Sequence, residues 1–171
     1  MKKNLVLTGM MGVGKSTIGK MLAKKLNLKF IDVDKYIEKK EKKKIDEIFK
    51  AKGENYFREI EEKITLEMIK KNDLIIALGG GAFVNTSIRS EIKKICVSFW
   101  LDLSLKLILP RLKNIKKRPL LNQGNLKETI NKIYESRKKI YNESDFKINC
   151  NSRDTSKIIN KITRLYENTG N

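Results

Sequence analysis

The stretch "LTGMMGVGKST" (7–17) contains Gly9-Met-Met-Gly-Val-Gly14-Lys15-Ser16. This fits the spacing G-x-x-x-x-G-K-[ST], with a strand pattern before it and a helix pattern after it. Glycines at Gly9, Gly12 and Gly14 let backbone N–H groups curl around a phosphate without interference from Cβ atoms. The helix that starts at Lys15 directs its positive end at the same place. Lys15 is placed to reach the β- and γ-phosphates of a nucleoside triphosphate and the Ser16 hydroxyl to bind Mg²⁺, and Thr17, next in the first helical turn, is counted with Gly12 and Gly14 among the nucleotide-binding residues. The motif implies nucleotide binding and leaves the phosphate acceptor open.

The second set of chemical residues is "FIDVD" (30–34). Period-2 geometry puts Asp32 and Asp34 on one side of an extended segment. Ligands of open α/β sheets sit at the carboxyl ends of strands, and this pair lies at such an end. One carboxylate would support Mg²⁺ and the other would accept a proton from an attacking hydroxyl. The chain has no histidine, so Asp34 is the natural base. The other reading is structural, with Asp34 as a helix N-cap.

Arginines supply the third set. Arg58 has Glu61 and Glu62 at i+3 and i+4, spacing that holds a guanidinium in place or makes only a surface pair. Arg137 is more telling. Ile130, Ile133, Tyr134 and Tyr141 mark one helical face around it, so a charge sits in an apolar stripe. Such a charge needs a partner or a ligand, and its fork suits a carboxylate. The alternative is a buried stem with its head in water. Gly79-Gly80-Gly81 ends an apolar strand and cannot pack, which points to close approach of a ligand rather than to a plain turn. That strand end lacks an acidic residue, so metal support falls to Ser16 and Asp32.

The elements that must position these groups alternate. Segments 4–8, 30–34, 74–78, 96–101 and 146–150 read as strands. Helical patterns fall near 15–26, 35–71 with a break around Gly53, 86–94, 104–113, 126–141 and 154–167. This predicts an α/β fold, a five-stranded parallel sheet with helices on both faces in three layers. One domain over 1–171 is expected. The one long loop, 114–125, carries Pro119 and Gly124, and a loop of that length is usually functional.

Composition narrows the classes. The formal charge is +18, but only seven of the 38 basic residues are arginine. The lysines are scattered over nearly every helix, whereas a nucleic-acid footprint is clustered. No nucleic-acid partner is expected. No apolar run approaches the ~20 residues of a membrane span, and the start "MKKNLVLTG" leads straight into the glycine loop instead of a leader sequence. A cytoplasmic protein is expected. Cys96 and Cys150 lie in apolar strand-like segments and read as buried thiols without metal-ligand spacing.

Taken together, "GMMGVGKST", "FIDVD", "FREIE" (57–61), "GGGAF" (79–83), "RPLL" (118–121) and "SRKKIY" (136–141) resemble the shikimate kinases, in order and over nearly the whole chain. These are small P-loop kinases of the nucleoside-monophosphate-kinase fold, and the joint set is more specific than the glycine loop alone. The resemblance implies transfer of the γ-phosphate of ATP to the 3-hydroxyl of shikimate, with Mg²⁺, by a monomer. It implies that Asp34 contacts the reacting hydroxyl, Asp32 supports the metal, and Arg58 and Arg137 clasp the shikimate carboxylate. Gly79, Gly80 and Gly81 would lie against the ring. A substrate-binding helical region would span about 34–62, and Arg118 would act from a lid of about 112–125. Arg111 and Arg153 would flank the adenine, although "NSRDTSK" departs from the usual proline after that arginine. A gluconate- or nucleoside-monophosphate-type kinase is the nearest alternative. A non-catalytic nucleotide-dependent module binding nucleic acid is the alternative of another class.

Overall fold

The computed structural model describes residues 3–113, 125–152 and 154–169. Arg118, Arg153 and nearly all of the proposed lid lie outside the described residues. Five parallel strands form one sheet in the order β2-β3-β1-β4-β5. They are β1 (Asn4–Thr8), β2 (Lys29–Asp32), β3 (Leu74–Ala77), β4 (Cys96–Asp102) and β5 (Phe146–Asn149). Every residue of β1 and β3 is buried. Consecutive strand residues point to opposite faces, so both faces of the sheet centre are covered. Helix α1 (Lys15–Leu26) packs with α7 (Thr155–Asn168), and α3 (Ile45–Ile69) packs with α4 (Thr86–Ile95). The remaining helices are α2 (Val33–Glu41), α5 (Leu105–Lys113) and α6 (Leu126–Tyr141). Trp100, Tyr141, Phe83 and Phe99 are fully buried. Each such side chain contributes on the order of 1.5–3 kcal/mol to the core.

Two boundaries differ from the sequence expectation. The strand read at 30–34 ends at Asp32, and Val33 and Asp34 already belong to α2. The Asp32 carboxylate accepts from Lys35 N at 3.2 Å and caps that helix. The helix N-cap is therefore Asp32, and the two aspartates do not share one side of an extended strand. The long pattern at 35–71 is also two helices, parted at Lys42, whose φ of 52° is left-handed. The break expected around Gly53 is present, with φ 82° and ψ 172° inside α3. Cys96 and Cys150 are buried free thiols. Burial pushes both up to about 12, which leaves them inert at neutral pH.

Candidate active site

The carboxyl ends of β1, β2 and β3 open on a cavity of about 330 Å³. One wall is the glycine loop. Gly14 is the N-cap of α1 with φ 103°, a left-handed conformation that costs glycine little. A Cβ on Gly9 would lie 2.6 Å from the Leu101 carbonyl oxygen, so the loop lies directly against β4. Lys15 Nζ donates to the carbonyls of Gly9 at 2.7 Å and Met10 at 2.9 Å and is thereby folded over the loop. Ser16 Oγ donates to Asp32 Oδ2 at 2.5 Å, and both residues face the cavity. A hydroxyl and a carboxylate held side by side are hard oxygen donors of the kind Mg²⁺ takes from protein, completing its shell with water and phosphate. The residues present fit that ion.

The opposite wall comes from α2, α3 and α6. Asp34 faces the cavity from the first turn of α2. Arg58 donates from Nη1 to Glu61 Oε2 at 2.7 Å, and from Nε and Nη2 to Glu54 Oε1 at 3.2 and 3.0 Å. Burial works against the Arg58 charge, but Glu61 and Glu54 more than offset it and raise its pKa. The Glu62 partner considered for Arg58 instead accepts from Asn85 Nδ2 at 2.8 Å. Arg137 reaches the cavity from α6 and donates from Nη1 to the Gly80 carbonyl at 2.9 Å. Each guanidinium has five N–H donors. Among the described residues three of Arg58's donors are engaged in these bonds, and Arg137 bonds to Gly80 and meets the Tyr141 hydroxyl, so each has further donors to offer an anionic ligand.

Glu61 is the site residue that sequence reasoning passed over, counting it only as a neighbour of Arg58. It lines the cavity and is 2% exposed. Burial raises its carboxyl above the ordinary value despite the pull of Arg58. The i+3 spacing from Arg58 was a signal, but three acidic residues in "EIEE" share that helix. Ile45, Phe49 and Phe57 supply an apolar wall, with the two phenylalanine rings 4.8 Å apart.

The three glycines after β3 are kept small by the site itself. A Cβ on Gly79 would lie 2.4 Å from Glu61 Oε1 and 2.6 Å from Asp34 Oδ1. On Gly80 it would lie 3.3 Å from Met11 N, and on Gly81 2.7 Å from Arg58 Nη1. The closest approaches by protein atoms are those of functional side chains and the glycine loop. The structure thus brings Gly12, Lys15, Ser16, Asp32, Asp34, Arg58, Gly80, Gly81 and Arg137 to one cavity, with Gly79 behind its carboxylates. Gly14 and Thr17 belong to the loop and helix start and are not on the cavity wall. Arg111, on α5, donates to the Gly12 carbonyl at 3.2 Å, on the outer side of the loop.

A phosphate cradle facing two arginines and two carboxylates suits movement of a phosphoryl group from a nucleotide to a small anionic alcohol. With the sheet order and connections, this defines a P-loop kinase of the nucleoside-monophosphate-kinase type. Comparison with known proteins narrows that class. The family model for shikimate kinase matches residues 11–167. A shikimate kinase of Sulfurihydrogenibium sp. (strain YO3AOP1) is 45% identical over 160 residues, covering 94% of this chain and 95% of the relative. One from Bartonella quintana (strain Toulouse) is 41% identical over 167 residues, covering 98% and 80%. The solved structure of shikimate kinase from Acinetobacter baumannii in complex with shikimate superposes with a TM-score of 0.93 at 32% identity, covering 98% and 94%. The chain belongs to the shikimate kinase family and is an ATP-dependent phosphotransferase.

Proposed function

We propose that the cavity binds shikimate with its carboxylate on Arg58 and Arg137 and its 3-hydroxyl toward Asp34, opposite ATP on the glycine loop. The observation that carries this reading is the placement of two arginines with unspent donors beside Asp34, facing Lys15 across one cavity. The hydroxyl oxygen forms its bond to the γ-phosphorus as the bond to the β-phosphate oxygen breaks. The hydroxyl proton passes to the Asp34 carboxylate. Most of the acceleration comes from positioning and charge neutralisation, so an ordinary carboxylate suffices as base. Lys15 exchanges its carbonyl partners for the phosphates and offsets charge on the group in transfer. Ser16 and Asp32 would hold Mg²⁺, which when bound would supply Lewis-acid neutralisation of the phosphate oxygens. The family pattern assigns Arg118 a phosphate contact from a lid, and Arg111 and Arg153 the adenine side. Residues 34–62 form the substrate-binding part. We read the chain as a cytoplasmic monomer, the compartment supported by its two free buried thiols. Among the described residues, no helix is long and apolar enough to cross a membrane.

Calorimetry with shikimate tests the pocket. Arg137→Ala should weaken binding by about 2–5 kcal/mol, the cost of removing one partner of a desolvated charge pair. Arg137→Lys should recover only part, because an ammonium cannot form the fork. An analogue without the carboxylate should bind wild type and Arg137→Ala equally. Strong discrimination of that analogue would refute the carboxylate contact. In a coupled assay, shikimate should be turned over in preference to gluconate or nucleoside monophosphates, and the reverse order would favour the alternative kinases.

A further inference from the structure

Helix α6 meets the loop after β3 twice at a single atom. The Gly80 carbonyl oxygen accepts from Arg137 Nη1 at 2.9 Å and from the Tyr141 hydroxyl at 2.5 Å. A carbonyl oxygen has two lone pairs, and these two donors fill both. Tyr141 is wholly buried, with its ring centroid 6.0 Å from that of Trp100 on β4. Its hydroxyl also lies 3.9 Å from the Met10 sulfur in the glycine loop. As one member of an apolar helical stripe, position 141 would be filled equally well by phenylalanine. The hydroxyl, however, is aimed at the one carbonyl that Arg137 uses.

We infer that Tyr141 is a positioning residue for the phosphate acceptor, one that fixes the Gly80 carbonyl on which Arg137 is anchored, so that the remaining donors of Arg137 are aimed at an acceptor carboxylate. A buried acceptor left without a donor is costly. Without the tyrosine hydroxyl, only Arg137 serves the Gly80 carbonyl. The carbonyl is then held from one side only, the guanidinium anchored on it loses its fixed direction, and binding weakens although Tyr141 touches no ligand. The same bond keeps the Gly80 backbone seated against Met11 of the glycine loop, where a Cβ on Gly80 would lie 3.3 Å from the Met11 nitrogen. This inference rests on the proposed role of Arg137 and adds a residue that acts through it.

The test is calorimetry with shikimate on wild type, Tyr141→Phe, Arg137→Ala and the double variant, with melting temperatures measured alongside. Tyr141→Phe keeps the ring and its packing. It should raise the shikimate Kd about fivefold or more, the worth of one hydrogen bond, while ATP affinity holds. In the Arg137→Ala background the same change should add nothing, because no fork is left for the Gly80 carbonyl to aim. Unchanged shikimate affinity in Tyr141→Phe, or losses that simply add, would overturn the inference while leaving the pocket reading intact. Wild-type affinity in Arg137→Ala would overturn the pocket reading, and this inference with it. A measurement on the unaltered protein guards against a variant that does not fold. The Tyr141 hydroxyl proton should be a protected NMR resonance both free and with shikimate bound, and its loss on adding shikimate would also overturn the inference.

Discussion

Gly79→Ala places one methyl group where the structure has no room for it. The new Cβ would lie 2.4 Å from Glu61 Oε1 and 2.6 Å from Asp34 Oδ1, against an ordinary contact of at least 3.4 Å. The two oxygens must retreat by about 1.0 and 0.8 Å respectively. Neither can do so freely. Glu61 is 2% exposed and tied to Arg58 at 2.7 Å, and Asp34 is fixed in the first turn of α2. A displacement of about 1 Å at a reacting group costs on the order of a hundredfold in rate. The kcat of Gly79→Ala should therefore fall by about that factor. Overpacking should cost only about 1–3 kcal/mol of stability, so the variant remains folded. Steady-state turnover with a coupled ADP assay at saturating shikimate and ATP reads the first, and thermal melting the second. Gly81→Ala makes the companion measurement. Its Cβ would lie 2.7 Å from Arg58 Nη1, well inside the same ordinary contact of 3.4 Å, so the disturbance should raise KM for shikimate more than it lowers kcat. Near-normal kcat in a Gly79→Ala protein that melts with the wild type would refute the placement of Asp34 as the group that meets the hydroxyl.

Gly53→Ala should act on stability alone. Nothing lies within 4 Å of the added Cβ, but φ 82° and ψ 172° are nearly closed to other residues, so about 1–3 kcal/mol should be lost in denaturant unfolding. Asp32→Asn should shift the Mg²⁺ concentration needed for activity, whereas Asp34→Asn should lower turnover at any Mg²⁺ concentration. Identical metal profiles would undo that division of roles. Glu61 gives a pH dependence with a definite sign. Burial holds its carboxyl above the ordinary 4.5, so the folded protein keeps a proton that the unfolded chain has released. The stability this contributes is complete below 4.5 and is lost as pH rises through the folded-state value. The melting temperature of wild type relative to Glu61→Gln should therefore fall with rising pH across that window, and a flat difference would show that Glu61 titrates normally.

What the sequence made legible follows from how local each feature is. The glycine loop was readable because its conformation depends on its own residues, and Gly14 and Lys15 need only the adjoining strand and helix to do their work. The strand and helix pattern was readable for the same reason, since burial on one or both faces leaves a period in the chain. "FIDVD" misled by one structural step. Its alternation favours a strand to Asp34, but the Asp32 side chain satisfies the Lys35 amide and starts the helix two residues earlier. Capping outweighed β-propensity there. The Gly79–Gly81 run showed that something approaches closely, but its neighbours Asp34, Glu61 and Arg58 lie far away in sequence. Glu61 could not be told from Glu59 and Glu62 by type. Only the tertiary packing that buries it against Gly79 separates them.

The charges lining the cavity bear on how this very basic chain selects an acceptor. Lys15, Lys35, Arg58 and Arg137 face Asp32, Asp34, Glu38 and Glu61, four of each sign, in a chain whose formal charge is +18. Among the described residues the excess of lysine is therefore not concentrated on the cavity wall, and general attraction to anions does not explain an acceptor pocket there. What distinguishes the pocket is fixed direction. Arg58 is locked from two sides by Glu54 and Glu61, and Arg137 is anchored on Gly80. Because those carboxylates and that carbonyl already occupy part of each guanidinium, the donors left over point in few directions. On the proposed reading, a planar carboxylate matched to those directions would bind, while other anions would meet the same balanced wall without the geometry. The glycines make this possible, because a side chain at Gly79 or Gly81 would displace the groups that hold the arginines and Asp34 in register.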